Sequence, residues 1–527
     1  MFLRTRMALI AGLLAALPFL AAPAHAENVL RWASQGDALT FDPHAQNETP
    51  TTAANLQVYE PLVMRGPLPD LDIIPALAAS WKLVEPTVWE FKLRKGVTFH
   101  DGTPFTAEDV AFSIARAQHE TSDYKTYVET VEEVRIVDDH TVRIVTDVPT
   151  PLLTANLTQV FIMSKAWSEK HDVTRPQDWE KGEENYAVRH ANGTGAFVME
   201  LREPDIRTIL TKNKNWWGLK EYPHNIDRII YTPIQNDATR VAALLSGEIQ
   251  FLLDPPLQNL KQIERQTSLH TRATPQTRTI FLGMDQERHE LRSSNIKGKN
   301  PFADVRVRKA FYHAIDAPAI VKKIMRGKAK PAGVLIAPAI NGYTEELDER
   351  LPHDVKKAKA LLKEAGYPGG FQVKLDCPND RYINDEAICQ AVTGMLGKIG
   401  VDVELDAQPK SLHFPKLLNH DTDFYLLGWG VVTIDSEYVF AHLYRTGEGW
   451  NAGKYSNPRV DKLIEQMTSE TDPEKRDALI AKTWEIVEGD VVYLPLHHQV
   501  ITWAMAENFD MPIMPDDMPR FFWGKFR

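Results

Sequence analysis

Cysteine is nearly missing. The 527 residues include two, Cys377 and Cys389, which excludes a disulfide-dense scaffold; no His stands at ligand spacing beside them, so a two-Cys zinc site is not expected. After its first residues the chain has no run of about 20 apolar side chains, so no membrane-spanning helix is expected. A basic surplus is missing too. Lys and Arg total 60 against 71 Asp and Glu, a net charge of −11, which argues against a nucleic-acid partner. There is no internal repeat and no low-complexity tract. The common catalytic signatures are absent: no GxSxG, no HExxH, no GxxxxGK[ST], and no GxGxxG between a strand and a helix. Acidic pairs occur as often as the composition demands, so none marks an acid–base couple.

What is present is a globular profile, 43% hydrophobic, 25% charged and 9% aromatic. The length allows about three domains, or two large lobes. The N-terminus reads as a secretory signal over 1–26. Arg4 and Arg6 precede an apolar core at 7–17, and Ala24 and Ala26 form an A-x-A cleavage site. No cysteine follows that core, so a lipoprotein anchor is not expected. A soluble protein of a bacterial periplasm is. That compartment permits a disulfide. Cys377 ends a strand-like run, FQVKLDC, and Cys389 lies in a helix-like run, DEAICQAVTGMLGKI. A strand and the helix that packs on it can bring the two within bridging distance; two free thiols are the alternative.

The pattern is mixed α/β. VWEFKL at 88–93 alternates as a strand, and residues 134–146 and 198–213 read as hairpins. Thr106 with Asp109 resembles a capping box. Asp304, Asp316 and Asp354 each stand before a helical run; the second should stop at Gly327 and the third at Gly366. FQVKLDC, the cysteine-bearing helix and VDVEL at 401–405 make a β-α-β unit with parallel strands. Helices follow at 459–469 and 473–488, and a strand at 491–498. His497 and His498 neighbour one another on that strand and point to opposite faces, so they do not share a metal. The spacing suggests two α/β lobes with a break near 286.

Several segments together resemble one family, the extracellular solute-binding proteins of peptide- and nickel-type ABC importers, family 5. TFDP at 40–43, YEPLV at 59–63, IIPALAASWKL at 73–83 and WEFKLRKGVTFHDGTPFTAEDVAFSI at 89–114 come first. NGTGAFVM at 192–199, NKNWW at 213–217, LLSGEIQF at 244–251, PFADVRVRKAFYHAID at 301–316 and DVKKAKALLKEAGYP at 354–368 follow in order. The resemblance implies an α/β fold of the two-lobed periplasmic binding-protein kind. A first lobe would cover 27–285, with an inserted subdomain at about 64–190. A second would cover 286–489, and 490–527 would return to the first. Solute would bind in the cleft between them. No catalysis, cofactor or metal is implied. The partners would be a small molecule or peptide and a membrane permease, served by a monomer.

In that family's frame most motif residues are structural. The candidates for ligand contact are Phe41, His44 and Tyr59 at the lip of the first lobe, and Arg381, whose guanidinium could fork onto a ligand carboxylate. The segment LLGWGVVTIDSEYVF at 426–440 adds Trp429, Gly430, Val431, Val432 and Asp435. Peptide binders of the family carry an acid after the Gly-Trp pair that meets the ligand's ammonium. Here Val431 and Val432 stand in that place, so either Asp435 substitutes or the ligand lacks a free amine there. A peptide is the default solute. A metal chelate, opine, sugar or aromatic compound is the alternative within the fold, and an exported enzyme or a chaperone-like receptor outside it. A nickel chelate would call on His44 and His442.

Overall fold

The computed structural model describes residues 27–68, 71–179 and 181–527; the secretory segment read at 1–26 lies outside them. Two long strands, Leu269–Met284 and Tyr493–Ala506, pair antiparallel through the middle of the protein. Among the described residues, eleven strands form one sheet around them. On one side Tyr493–Ala506 is followed by Phe251–Leu252, Val29–Ala33, Arg228–Tyr231, Arg207–Lys212 and Phe197–Glu203. On the other, Leu269–Met284 is followed by Phe424–Gly430, Gln372–Pro378 and Asp402–Gln408, while Ala329–Pro331 pairs with Tyr493–Ala506.

The two long strands belong to both halves. Ile280, Leu282, Met284, Leu494 and Leu496 pack into the core built from residues between Phe302 and Leu426. Ile501, Trp503 and Met505 pack into the core that holds Leu30, Phe251, Phe521 and Phe522. Strand pairing slips between Pro275 and Thr279, where the chain passes from one core to the other. We therefore draw the lobe boundary inside these strands, about ten residues from the breaks read at 285/286 and 489/490. A bulge bends and twists a strand locally, here at the passage between the two cores.

Local chemistry explains the elements. Val29–Ala33 runs parallel to Arg228–Tyr231 and to Phe251–Leu252, and parallel neighbours need a crossover. The helix Asp237–Leu245 is the crossover between Arg228–Tyr231 and Phe251–Leu252, the two strands that flank Val29–Ala33, and it is capped by the Asn236 side chain accepting from Thr239 N–H. Gln372–Pro378, the helix Asp385–Gly397 and Asp402–Gln408 form the β-α-β unit, in parallel register from Gln372 opposite Asp402 to Pro378 opposite Gln408. Cys377 and Cys389 are bridged across it. Asp304, Asp316 and Asp354 cap their helices, and Thr106 with Asp109 forms the capping box. One end differs: the helix after Asp316 stops at Lys323, and Gly327 sits in the turn beyond with φ 77°.

A four-stranded sheet, Ala78–Glu85, Val88–Leu93, Thr141–Thr146 and Val131–Asp138, makes a satellite of the first lobe. Its core runs from Leu62 to Ile162, narrower than the insert expected at 64–190.

The early motifs hold this lobe together. Asp42 of TFDP forms an ion pair with Arg116, 2.7 Å, both side chains wholly buried. Burial opposes that carboxylate's charge, but Arg116 and the hydrogen bonds around it hold Asp42 at about 2. Glu60 of YEPLV accepts from Trp216 Nε1, Trp217 Nε1 and Thr194 Oγ1 at 2.8–3.1 Å. Gly193 and Gly195 of NGTGAFVM lie against the Val58 backbone. A Cβ would stand 2.0 Å and 2.6 Å from its carbonyl oxygen, so only glycine fits.

Candidate functional site

The lobes touch along one seam. Arg65 donates to the Thr433 carbonyl at 2.6 Å. The Tyr127 and Tyr438 rings lie parallel, 6.3 Å between centroids. Thr126 Oγ1 meets His442 Nε2 at 3.3 Å, and Lys410 pairs with Glu48. Val432 packs against the apolar core of the satellite sheet.

Behind this seam the strand Phe424–Gly430 ends beside Arg278, which sits where the long strand crosses between lobes. Gly430 is the partner of Arg278 and Gly428 that of Ile280. Arg278 Nη1 donates to the Gly428 carbonyl at 3.2 Å, and Tyr382 Oη donates to the same oxygen at 3.1 Å. The guanidinium carbons of Arg278 and Arg381 lie 5.8 Å and 5.2 Å from the Tyr382 ring centroid. Gly428 keeps the group compact, since a Cβ there would fall 2.5 Å from Ile280 and 2.8 Å from the Tyr382 ring.

Arg278 is only 8% exposed, and among the described residues no carboxylate forms an ion pair with it or with Arg381. Burial, then the neighbouring Arg381 charge, lowers its guanidinium to about 10. Arg381 Nε, Trp429 Nε1 and Thr433 Oγ1 are buried without a hydrogen-bond partner. Two cations without a protein carboxylate beside unused donors make this group the candidate place for an anion. Trp429 faces Tyr438, His442 and Trp450 at 5.5–5.8 Å, giving an aromatic wall.

The expected site residues fall into three groups. Arg381, Trp429 and Gly430 gather around Arg278. Val431 and Val432 join the lobes instead: Val431 N–H donates to the Thr277 carbonyl at 3.0 Å, and Val432 seals against the satellite core. Phe41, His44 and Tyr59 are not at the lip; all three are buried in the first lobe. His44 Nδ1 accepts from Arg116 at 3.2 Å and Nε2 donates to the Phe161 carbonyl at 2.9 Å. Both ring nitrogens are thus occupied, and burial with the Arg116 charge lowers the imidazole to about 3. That leaves no ring nitrogen for a nickel chelate. Asp435 is committed as well. It makes two 2.7 Å bonds to Arg476, accepts from Asn341 Nδ2 at 3.1 Å and caps Glu437 N–H at 2.9 Å. It has no room to stand in for the missing acid.

Arg278 escaped the sequence reading. The signal was a lone arginine between two threonines at the head of an apolar strand run, TRTIFLGM, and its meaning depended on a partner strand 150 residues away.

Comparison with known proteins agrees with this architecture. The family described as bacterial extracellular solute-binding proteins, family 5 Middle, matches residues 72–451. The chain is 26% identical over 495 residues to the glutathione-binding protein GsiB of Shigella dysenteriae, covering 90% of each chain. In fold it is similar to the periplasmic binding protein DppA from Helicobacter pylori in complex with peptide STSA. That match has a TM-score of 0.81 and 24% identity and covers 95% of this chain and 98% of that one. It is also similar to a dipeptide-binding protein from Pseudoalteromonas sp. SM9913 in complex with Met-Leu. There the TM-score is 0.82 and the identity 21%, over 95% and 100% of the two chains. Among the described residues no helix is long and apolar enough to cross a membrane. The chain belongs to the family 5 extracellular solute-binding proteins, non-enzymatic substrate-binding components of ABC transporters.

Proposed function

We propose that the protein captures a carboxylate-bearing, peptide-like solute in the periplasm and delivers it, as a monomer, to the membrane permease of an ABC importer. One observation carries this reading: Arg278 and Arg381 flank Tyr382 with no protein carboxylate to neutralise them. A ligand carboxylate supplies the missing charge and can accept from both guanidiniums. The aromatic wall of Trp429, Tyr438 and Trp450 takes the apolar part of the solute. The relatives named for glutathione, STSA and Met-Leu support a peptide-like solute. The test is mass spectrometry of material released from protein purified without unfolding. A carboxylate-bearing peptide or conjugate is expected, carried by wild type and lost from Arg278→Gln. A released sugar or metal ion without a carboxylate overturns the reading.

A further inference from the structure

Arg278 and Arg381 answer only the negative end of a ligand. Asp517 lies near Arg278, on the C-terminal segment of the first lobe. Thr277 N–H donates to the Pro515 carbonyl at 3.0 Å, which lays the C-terminal segment along the long strand one residue before Arg278. Trp503 Nε1 then donates to Asp517 Oδ1 at 2.8 Å and holds the carboxylate from the sheet side. The backbone there has φ 63°, a left-handed conformation that Asp and Asn adopt more readily than most side chains. The carboxylate is half-buried, its second oxygen has no hydrogen-bond partner, and no described cation pairs with it. Burial raises Asp517 to about 7; Asp254 adds to that rise, while Trp503 and the Arg278 charge oppose it. Asp254 lies just past Phe251–Leu252 and accepts from Gln35 N–H, just past Val29–Ala33, at 3.1 Å. The carboxyl ends of parallel strands are where open α/β sheets bind their ligands.

Arg278, nine-tenths buried, and Asp517, with no described cation on it, thus lie near enough for their charges to act on each other and yet form no ion pair. We propose that Asp517 receives the ligand's ammonium, so that the cleft holds a zwitterion with its carboxylate on Arg278 and Arg381. This rests on the solute-binding reading above and adds the cationic half. It moves the ammonium acceptor to the first lobe and leaves Val432 on the second lobe free to seal the seam. A zwitterion held this way ties the lobes together through its own two charges.

The test uses an equimolar mixture of free dipeptides and their N-acetylated forms, offered to ligand-depleted full-length protein. Mass spectrometry reads what is bound, and calorimetry measures the best free peptide and its acetylated form. Wild type should select the free form. Asp517→Asn, which keeps the Trp503 bond and tolerates the left-handed backbone, should weaken the free form about a hundredfold and the acetylated form by less than about threefold. An unchanged preference in Asp517→Asn overturns the proposal, as does wild type that takes both forms equally or neither. Arg278→Gln separates the two ideas. If it weakens both forms while Asp517→Asn leaves the preference unchanged, only the ammonium assignment fails. If Arg278→Gln changes nothing, the carboxylate site itself fails.

Discussion

Arg278→Gln should make the empty protein close by itself. With the lobes in contact the guanidinium is buried without an anion and sits at about 10 instead of its ordinary 12.5. That difference corresponds to roughly 3 kcal/mol against the charged form. The bond to the Gly428 carbonyl joins paired strands and persists in both forms, as does the repulsion from Arg381, so opening relieves only the desolvation part of that cost. Rehydrating the cation on opening therefore biases the protein toward the open form by roughly 2 kcal/mol. This is a factor of about thirty in the closure equilibrium. Glutamine has no charge to desolvate and loses that bias. Small-angle scattering of ligand-free protein checks it. The radius of gyration of Arg278→Gln should fall below that of wild type, toward the compact value of about 23–24 Å expected from chain length. Wild type should reach the same value only with bound solute. Equal radii for the two ligand-free proteins would refute the reasoning, because burial of Arg278 would then carry no cost that opening relieves.

Asp435→Asn should act on stability and not on ligand choice. It leaves Arg476 buried beside a neutral amide, at a cost of about 3–5 kcal/mol in chemical denaturation, with the preference between free and acetylated peptides unchanged. Thiol labelling of denatured, unreduced protein should find no free cysteine, and reduction of the Cys377–Cys389 bridge should cost about 3 kcal/mol. Glu488 gives a pH test. Burial, opposed by Arg350 and assisted by Asp348, raises its carboxyl from 4.5 to about 8. The folded state therefore holds that proton more tightly than the unfolded chain, and its contribution is complete below about pH 4.5 and lost as the pH rises through 8. Glu488→Gln lacks this loss, so its thermal midpoint should gain on wild type between pH 5 and 9. A gap between the two that does not vary with pH would contradict this.

Features decided within a few residues were open to reading. The capping aspartates 304, 316 and 354 lie beside the N–H groups they satisfy, and the bridge spans 12 residues within one β-α-β unit. The ordered family motifs were legible too, because their residues carry the fold's costliest contacts: Asp42 on Arg116, Glu60 under two tryptophans, Gly193 and Gly195 against Val58. The same strength misled the site reading. Phe41, His44 and Tyr59 belong to motifs, and these motifs serve the core.

By itself the sequence determined the α/β class and the capped helix starts, since periodicity, caps and turn residues act over short spans; the two lobes and the family came through the resemblance of the ordered motifs, and the Cys377–Cys389 bridge stayed open against two free thiols until the structure showed it. Only the tertiary structure decided which charges were free. Asp435 looked available until Arg476, 41 residues on, was found holding it. Arg278 and Asp517 looked ordinary until strand register set the first against Gly430 and the C-terminal return brought the second near it. A charge is free or spent according to what lies within a few ångströms, and for these groups that neighbourhood is assembled from segments 40 to 240 residues apart in the chain.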